Sequence, residues 1–479
     1  MKGSDVVLEM LIAQGVEHVF GVPGDTSMNF HDSFAKRSDK ITHILCRDER
    51  NAGYMADAYS RVKGKPGVVE TPSGGGALYV VPAVSEAHLS SIPFVCLSSD
   101  ITMPSEETNA LTDASQEQLF KPITKWNAKV KQSAKIPHLI RKAFRMATGG
   151  VPGAVHLSIP ENILDDEANI SQDDIRGSKC FFKHLPNRNR PIATDIDKAV
   201  EMLLKAKAPV IIAGGGIHLS KAYAELDYIA SCFNIPVATS INGKGSINEH
   251  ALYSLGVLGA NGGTEETLAV VQRADLVLVL GSKLNNVTTM GKTAISKDAK
   301  VIQVDIGEDV LDANIATELP IMCDLKLFLQ DLGAALEDKK EQLYENYKEW
   351  NTWAEQKMQE KAERIAKEFL QDTELVLPCR IFNVLEKLTD ENTIFVADAG
   401  TPTPYLASYL KLKKAGRYSI LPRAHGSLGY ALPAAIGAKI AQPESTVFSL
   451  FGDASFGMAL GDLETASRLD IPVIFVNFQ

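Results

Sequence analysis

The chain has 479 residues, of which 45% are hydrophobic and 23% are charged, and it carries a formal net charge of −10. This composition is typical of a soluble globular protein, and the length predicts two to four domains. Because the chain is acidic, we expect neither nucleic acid nor an anionic membrane surface as its main partner. No run of about 18 apolar residues is present to cross a bilayer, and we expect no signal peptide.

The cysteines are scattered, without a C-x-x-C pair, at Cys46, Cys96, Cys180, Cys232, Cys323 and Cys379. This spacing predicts free thiols in a reducing compartment and argues against a disulfide framework or a zinc site built from cysteines. We therefore expect a cytoplasmic protein.

Three α/β stretches follow one another along the chain. The first begins with an amphipathic helix at 6–14 and has strand-like runs at 17–21, 67–70, 94–98 and 154–159. The second has strand-like runs at 209–213, 235–239, 274–280 and 300–305. Strands that alternate with helical patterns predict mostly parallel sheets.

Two polar segments separate these stretches. Residues 165–190 predict a linker, and residues 337–370 predict a highly charged connecting helix without persistent heptads. The predicted fold class is therefore α/β, with three doubly wound parallel-sheet domains over 1–170, 191–335 and 373–479. We expect the third domain to be truncated at its C-terminus.

The C-terminal segment predicts a βαβ unit around a small-residue turn. Val447 to Leu450 form a strand-like run that enters Gly452-Asp453-Ala454-Ser455, and a helix and a second buried strand within 471–479 follow. Backbone N–H groups at such a turn can face an anion while Asp453 faces a divalent cation. Taken alone, Asp453 would more often be a helix N-cap.

Together with the stretch Arg47–Arg61, this turn resembles motifs of the thiamine-diphosphate (ThDP)-dependent 2-oxoacid lyases and synthases, a family that includes acetolactate synthase, pyruvate oxidase and pyruvate decarboxylase. The resemblance covers essentially the whole chain. It implies a pyrimidine-binding domain, a central domain and a diphosphate-binding domain, in that order. Ala454 replaces a glycine of the family motif, and the motif's asparagine would follow Gln479.

The resemblance implies a role for Glu49 as the carboxyl that hydrogen-bonds the aminopyrimidine ring of ThDP. In a site poor in water its pKa would rise, and proton sharing with the ring would favour ylide formation at the thiazolium C2. The alternative is an ordinary helix-start charge stabilised by the helix dipole. The resemblance also makes Asp453 a Mg²⁺ ligand and Gly452, Ala454 and Ser455 cofactor contacts.

Three further loops resemble cofactor-binding loops of the family. Gly400 and Thr401 would contact the diphosphate, while Gly426, Ser427 and Leu428 would support the two rings, with Leu428 enforcing the bent cofactor. Gly24 and Asp25 would belong to the loop that closes over the aminopyrimidine ring from the partner subunit. The alternatives are close structural packing of the glycine-rich turns and, for Asp25, a helix cap.

Different motifs in the chain indicate different reactions. Asp25 and Thr401 resemble the simple decarboxylases, whereas the segment around Gln116, a third candidate catalytic residue, resembles the synthases and oxidases. We predict decarboxylation of a 2-oxo acid such as pyruvate with carboligation of the enamine, as in acetolactate synthase and branched-chain amino acid biosynthesis. Simple decarboxylation and a non-catalytic cofactor-binding paralogue are the alternatives.

The resemblance further implies a homodimer or homotetramer in which Glu49 of one subunit and Asp453 of the other serve one site. It leaves FAD open as a ligand of the central domain. The segment Gly281–Thr289 lacks the arginines expected around that cofactor.

Overall fold

The computed structural model describes residues 1–175 and 186–479. The chain forms two compact units. The first unit contains Met1–Asn187, Pro422–Asn477 and Gln479, and the second contains Arg188–Leu421 and Phe478.

Residues 1–175 form a parallel α/β layer structure. Its strands are β1 (His18–Gly21), β2 (Thr42–Leu45), β3 (Gly67–Thr71), β4 (Phe94–Asp100), β5 (Trp126–Lys129) and β6 (Ala154–Pro160). Its helices are α1 (Gly3–Ala13), α2 (Met28–Ala35), α3 (Glu49–Lys63), α4 (Gly75–Tyr79), α5 (Val81–Leu89), α6 (Gln116–Phe120), α7 (Ile136–Thr148), α8 (Glu161–Asp165) and α9 (Gln172–Ile175). The sheet order is β2-β1-β3-β4-β6-β5, with parallel pairing throughout.

Residues 188–421 repeat the alternation of strands and helices. The strands are β7 (Pro209–Ala213), β8 (Val237–Thr239), β9 (Ser254–Val257), β10 (Leu276–Leu280), β11 (Lys300–Asp305), β12 (Leu319–Met322), β13 (Ile394–Ala397) and β14 (Ser419–Ile420). The helices are α10 (Ala193–Lys205), α11 (Gly216–Ser220), α12 (Tyr223–Cys232), α13 (Glu265–Arg273), α14 (Asn286–Thr289), α15 (Leu325–Leu336), α16 (Lys340–Phe369), α17 (Pro378–Leu388) and α18 (Pro402–Tyr409). The central sheet has the order β12-β11-β10-β7-β8-β9, and β13 pairs with β14 in parallel.

Residues 422–479 complete the described chain. They form α19 (Ala431–Ala441), β15 (Val447–Gly452), α20 (Asp453–Ala459), α21 (Leu463–Arg468) and β16 (Ile474–Phe478). The predicted fold class, α/β with parallel-sheet domains, is confirmed. The central strands β3, β4, β6, β7 and β10 are buried along their whole length, as expected for parallel sheets covered by helices on both faces.

Helix α19 packs against α3 inside the first unit, and the two helices approach closely. A Cβ on Gly437 would lie 2.1 Å from the Met55 carbonyl oxygen, so only glycine allows this contact. A buried polar network joins the same helices, because Arg61 lies 2.8 Å from the Asp57 carboxylate and Tyr430 donates a hydrogen bond to it. These contacts hold α3, from the N-terminal part of the chain, against α19, from its C-terminal part.

Several local predictions are corrected. The final strand is Ile474–Phe478, inside the predicted run 471–479, and it begins after Pro472, which has no N–H to donate to a ladder. The strand was predicted to be buried and is only partly buried. The predicted linker at 165–190 contains α9, whose Ile175 is buried in the core. Part of that linker, 176–185, lies outside the described residues.

The charged segment 337–370 forms the 30-residue helix α16, as predicted. Cys46, Cys96, Cys232, Cys323 and Cys379 are free thiols, and Cys180 falls outside the described residues. Within the described parts of the chain, no helix is both long and apolar enough to cross a membrane.

Candidate cofactor site

Glu49 is the first residue of α3, but it does not cap that helix. The cap is Asp48, whose carboxylate accepts hydrogen bonds from the backbone N–H groups of Arg50 at 2.8 Å and Asn51 at 3.2 Å. Glu49 is half-buried, and burial raises the pKa of its carboxyl above the ordinary value. The capping function at this helix start belongs to Asp48, so the Glu49 carboxyl is available for another role.

The surroundings of Glu49 are built from glycines and a proline. A Cβ on Gly76 would lie 3.1 Å from Glu49 Oε1 and 2.6 Å from Pro72 Cδ. A Cβ on Gly24 would lie 2.5 Å from Pro72 Cβ. Gly24, Pro72 and Gly76 therefore form a continuous wall beside the Glu49 carboxyl. Sequence analysis identified Gly24 and missed the other two.

Asp25 and Gln116, the other two candidate catalytic residues, differ in how exposed they are. Asp25 is exposed in the 3₁₀ helix Asp25–Ser27, and the cap of α2 that follows has no side-chain hydrogen bond, so the capping alternative for Asp25 is not supported. Gln116 is 2% exposed, and its Nε2 donates to the Ser99 carbonyl at 3.0 Å. Thr26 lies 2.8 Å from the Ser99 hydroxyl, which places Gln116 behind the Asp25 turn.

The loop carrying Gly426, Ser427 and Leu428 is anchored at both ends. Tyr54 of α3 donates a hydrogen bond to the Ser427 hydroxyl, and Glu86 accepts one from the His425 N–H at 2.7 Å. Gly426 has a φ of +72°, and a Cβ there would meet nothing within 4 Å. Leu428 is 38% exposed. The loop thus presents an apolar side chain beside open space.

Asp453 begins α20 and its carboxylate is exposed. Gly452 is the N-cap, and Asp453 Oδ1 accepts a hydrogen bond from the Ala454 N–H at 2.7 Å. Ala454 is exposed, so its methyl group is accommodated without crowding, whereas Ser455 is buried. The turn therefore offers a carboxylate oxygen to solvent, as a metal ligand requires.

Three hydrogen bonds attach the first turn of α3 to the segment that follows Asp453. Arg50 donates to the Met458 carbonyl at 2.6 Å, while Asn51 Nδ2 and the Arg47 N–H donate to the Asp462 carboxylate at 2.7 and 3.0 Å. Burial raises the pKa of Asp462. Sequence analysis missed Asp462, because the contact joins residues more than 400 positions apart and no local pattern marks it.

Gly400 and Thr401 belong to the second unit. Gly400 has a φ of +100°, and a Cβ there would meet nothing within 4 Å. Thr401 is exposed at the N-cap of α18. Both residues therefore lie on an open turn of that unit, in a conformation that favours glycine at position 400.

Comparison with known proteins matches three family models in the order of the sequence. They are the N-terminal TPP binding domain of thiamine pyrophosphate enzymes over 1–119, the central domain over 196–332 and the C-terminal TPP binding domain over 398–479. Thiamine pyrophosphate is another name for ThDP.

Curated relatives are similar over the full length of this chain. A probable acetolactate synthase large subunit of Methanocaldococcus jannaschii is 32% identical, and 80% of its length is covered. The acetolactate synthase large subunit of Buchnera aphidicola subsp. Schizaphis graminum is 31% identical, and isozyme 3 of Escherichia coli K12 is 29% identical, each with 82% of its length covered. This chain belongs to the thiamine pyrophosphate enzyme family.

Proposed function

We propose that the chain catalyses ThDP- and Mg²⁺-dependent decarboxylation of a 2-oxo acid such as pyruvate, and joins the remaining fragment to a second carbonyl compound. The observation that carries the proposal is the Glu49 carboxyl, half-buried with a raised pKa beside the wall of Gly24, Pro72 and Gly76. The names of the relatives support the acetolactate synthase type of reaction.

The residues present fit ThDP. When bound, ThDP supplies a nucleophilic carbon that also takes up the electrons released with CO₂. Burial favours the protonated carboxyl of Glu49, so this group can hold a proton for a hydrogen bond to a ring nitrogen. Gly426 lacks a side chain where a flat ring would approach, and Leu428 offers an apolar support. Gly24 instead allows the close approach of Pro72 that forms the wall beside Glu49.

The residues of the 452–455 turn fit a metal–diphosphate. Asp453 would ligate Mg²⁺ through its exposed carboxylate, and Gly452, Ala454 and Ser455 would contact the diphosphate. Mg²⁺ prefers six oxygen ligands in octahedral geometry, so diphosphate oxygens, water and any further protein ligand would complete its shell. Gly400 and Thr401 would contribute contacts from their own open turn.

Asp25 and Gln116 would act on the substrate side of the site. Asp25 is exposed, whereas Gln116 is buried and fixed by its hydrogen bonds with Ser98 and Ser99. A fixed amide behind the Asp25 turn would shape the pocket and would not transfer protons. We therefore favour carboligation, with Gln116 as a residue that positions the acceptor side of the site.

We further propose a cytoplasmic homodimer or homotetramer with a role in branched-chain amino acid biosynthesis. Exposed apolar side chains lie close in sequence to the candidate site residues: Met28, Leu78, Tyr79, Met458 and Leu460. Large exposed apolar side chains near a site are typical of an interaction surface. Binding of FAD by the central domain stays an open expectation, and flavin absorbance of the purified protein tests it directly.

Product analysis with pyruvate alone tests the proposed function. The full chain, ThDP, Mg²⁺ and pyruvate should yield CO₂ and acetolactate, and omission of Mg²⁺ should remove both products. If acetaldehyde is the sole organic product, the chain is a simple decarboxylase and not a carboligase. ThDP binding detected by circular dichroism without any CO₂ release would identify a non-catalytic paralogue.

A further inference from the structure

A cluster of two imidazoles and one carboxylate lies in the first unit, apart from the residues assigned to ThDP and Mg²⁺. His31 is on α2, His43 is on β2 and Glu70 is on β3. The ligand atoms of all three side chains lie within 4.8 Å of one another. Neither sequence analysis nor the proposed reaction gives these residues a role.

The sheet register explains how the two strand residues meet. His43 lies beside Val19 of β1, and Glu70 lies beside Gly21 of the same strand on its other side. Because Val19 and Gly21 are two residues apart, their neighbours His43 and Glu70 share one face of the sheet. Two strand spacings, about 9.6 Å, separate the backbones of β2 and β3, so the side chains must reach across β1.

Gly21 provides the space for this approach. A Cβ on Gly21 would lie 2.3 Å from Glu70 Oε1 and 2.7 Å from Glu70 Cδ, so any side chain here would displace the carboxylate. Helix α2 covers the same face, and His31 meets the His43 ring edge-on with a centroid separation of 4.8 Å. The three donors therefore converge above a glycine.

The distances match a transition-metal ion. Glu70 Oε1 lies 3.0 Å from His43 Nε2 and 3.4 Å from His31 Nε2. Two ligand atoms of a tetrahedral Zn²⁺ site with bonds of about 2.0–2.1 Å are about 3.4 Å apart. The His31–Glu70 separation already has this value, and the His43–Glu70 separation needs to widen by a few tenths of an ångström.

Burial and charge favour a cation at this position. Glu70 is 1% exposed, and within residues 1–175 and 186–479 its Oε2 has no hydrogen-bond partner. His43 Nε2 lies within hydrogen-bonding distance of Glu70 Oε1, whereas His31 Nε2 has no hydrogen-bond partner among the described residues. A buried carboxylate requires a compensating charge, which a divalent cation held between the three side chains would supply.

We propose that His31, His43 and Glu70 form a binding site for a divalent first-row metal ion, with Zn²⁺ as the best fit. Two imidazole nitrogens and one carboxylate oxygen are a donor set that Zn²⁺ uses with water as the fourth ligand. The histidine side chains are 22% and 12% exposed, which leaves access for the ion and that water. The site shares no residue with the proposed ThDP and Mg²⁺ contacts, although the charge of Glu70 is among the causes that raise the pKa of Glu49.

Calorimetric titration of the chelator-treated full chain with Zn²⁺ alone, without ThDP or pyruvate, tests the site. The wild type should bind one Zn²⁺ per chain at this site. His31→Gln and His43→Gln should each lose more affinity than the roughly 10–100-fold that removal of an outer-shell partner costs. His138→Gln is the matched control, because His138 is an exposed histidine of the same unit on α7.

The absorption spectrum of bound Co²⁺ tests the same ligands independently of calorimetry. Co²⁺ added in place of Zn²⁺ should give the intense visible absorption of four-coordinate cobalt in the wild type and in His138→Gln, and should lose it in His31→Gln and His43→Gln. The thermal midpoint of each metal-free variant checks that it is folded. Absence of Zn²⁺ binding by the wild type would contradict the proposal. Binding that both variants retain would overturn the site.

Discussion

Glu49 is the residue on which the proposed chemistry depends most. Replacement by glutamine keeps the shape of the side chain but removes the exchangeable carboxyl proton. Glu49→Gln should therefore slow hydrogen–deuterium exchange at C2 of added ThDP by roughly 10²–10⁴-fold, the size of one general acid–base contribution. Mg²⁺-dependent ThDP binding should change little, because Asp453 is untouched. Nuclear magnetic resonance of the quenched cofactor measures the exchange.

The control for this change is Glu349→Gln, which makes the same chemical substitution at an exposed position of α16. Its exchange rate should equal that of the wild type. If Glu49→Gln exchanges the C2 hydrogen of ThDP at the wild-type rate, Glu49 is only a charged residue at the start of a helix.

Some residues of the candidate site were predicted from sequence motifs, and others were found only in the folded structure. Glu49 and Asp453 stand in local patterns whose chemistry can be interpreted without a structure. Asp462 and Glu86 act through hydrogen bonds to segments more than 300 positions away, which no local pattern encodes. Such positioning residues become visible only when the chain is folded.

At the scale of elements, hydrophobic periodicity predicted the buried strands well. The run at 209–213 matches β7 at both ends, because a fully buried parallel strand is apolar along its whole length. The run at 300–305 also matches β11 at both ends, although only the interior of that strand is buried. The last predicted strand began three residues too early, since Pro472 cannot donate a hydrogen bond to a ladder. In the sequence, only a run of small residues in α19 indicated that α3 and α19 pack closely.

The contact between α3 and α19 gives a prediction of its own. Gly437→Ala would place a methyl group 2.1 Å from the Met55 carbonyl oxygen, so the helices must separate. Overpacking of this kind costs about 1–3 kcal/mol, and the thermal midpoint of the first unfolding transition should fall.

Gly457→Ala in α20 is the matched control, because its added methyl group meets nothing within 4 Å. Since alanine favours helix over glycine by up to about 1 kcal/mol, this variant should be as stable as the wild type or more stable. An unchanged midpoint in Gly437→Ala would contradict the close packing of α3 on α19.

At the scale of the whole molecule, the open question is whether one chain or two build each site. The first turn of α3 contacts the segment after Asp453 within one unit of one chain. The resemblance to ThDP enzymes implies instead that Glu49 of one subunit serves the Asp453 of the other. These arrangements differ in what happens when two inactive variants are mixed.

Mixing Glu49→Gln with Asp453→Asn separates the two arrangements. If the site is shared, a heterodimer contains one site with both changes and one site with neither, so random reassociation at equal amounts should restore roughly a quarter of wild-type activity in a two-fold dimer. Each variant alone should stay inactive in CO₂ release from pyruvate. A mixture that remains inactive after reassociation is confirmed would place Glu49 and Asp453 of a single chain in each site. Recovery would make oligomerisation a requirement for catalysis, because no isolated chain could then bring the Glu49 carboxyl to the metal–diphosphate held at Asp453.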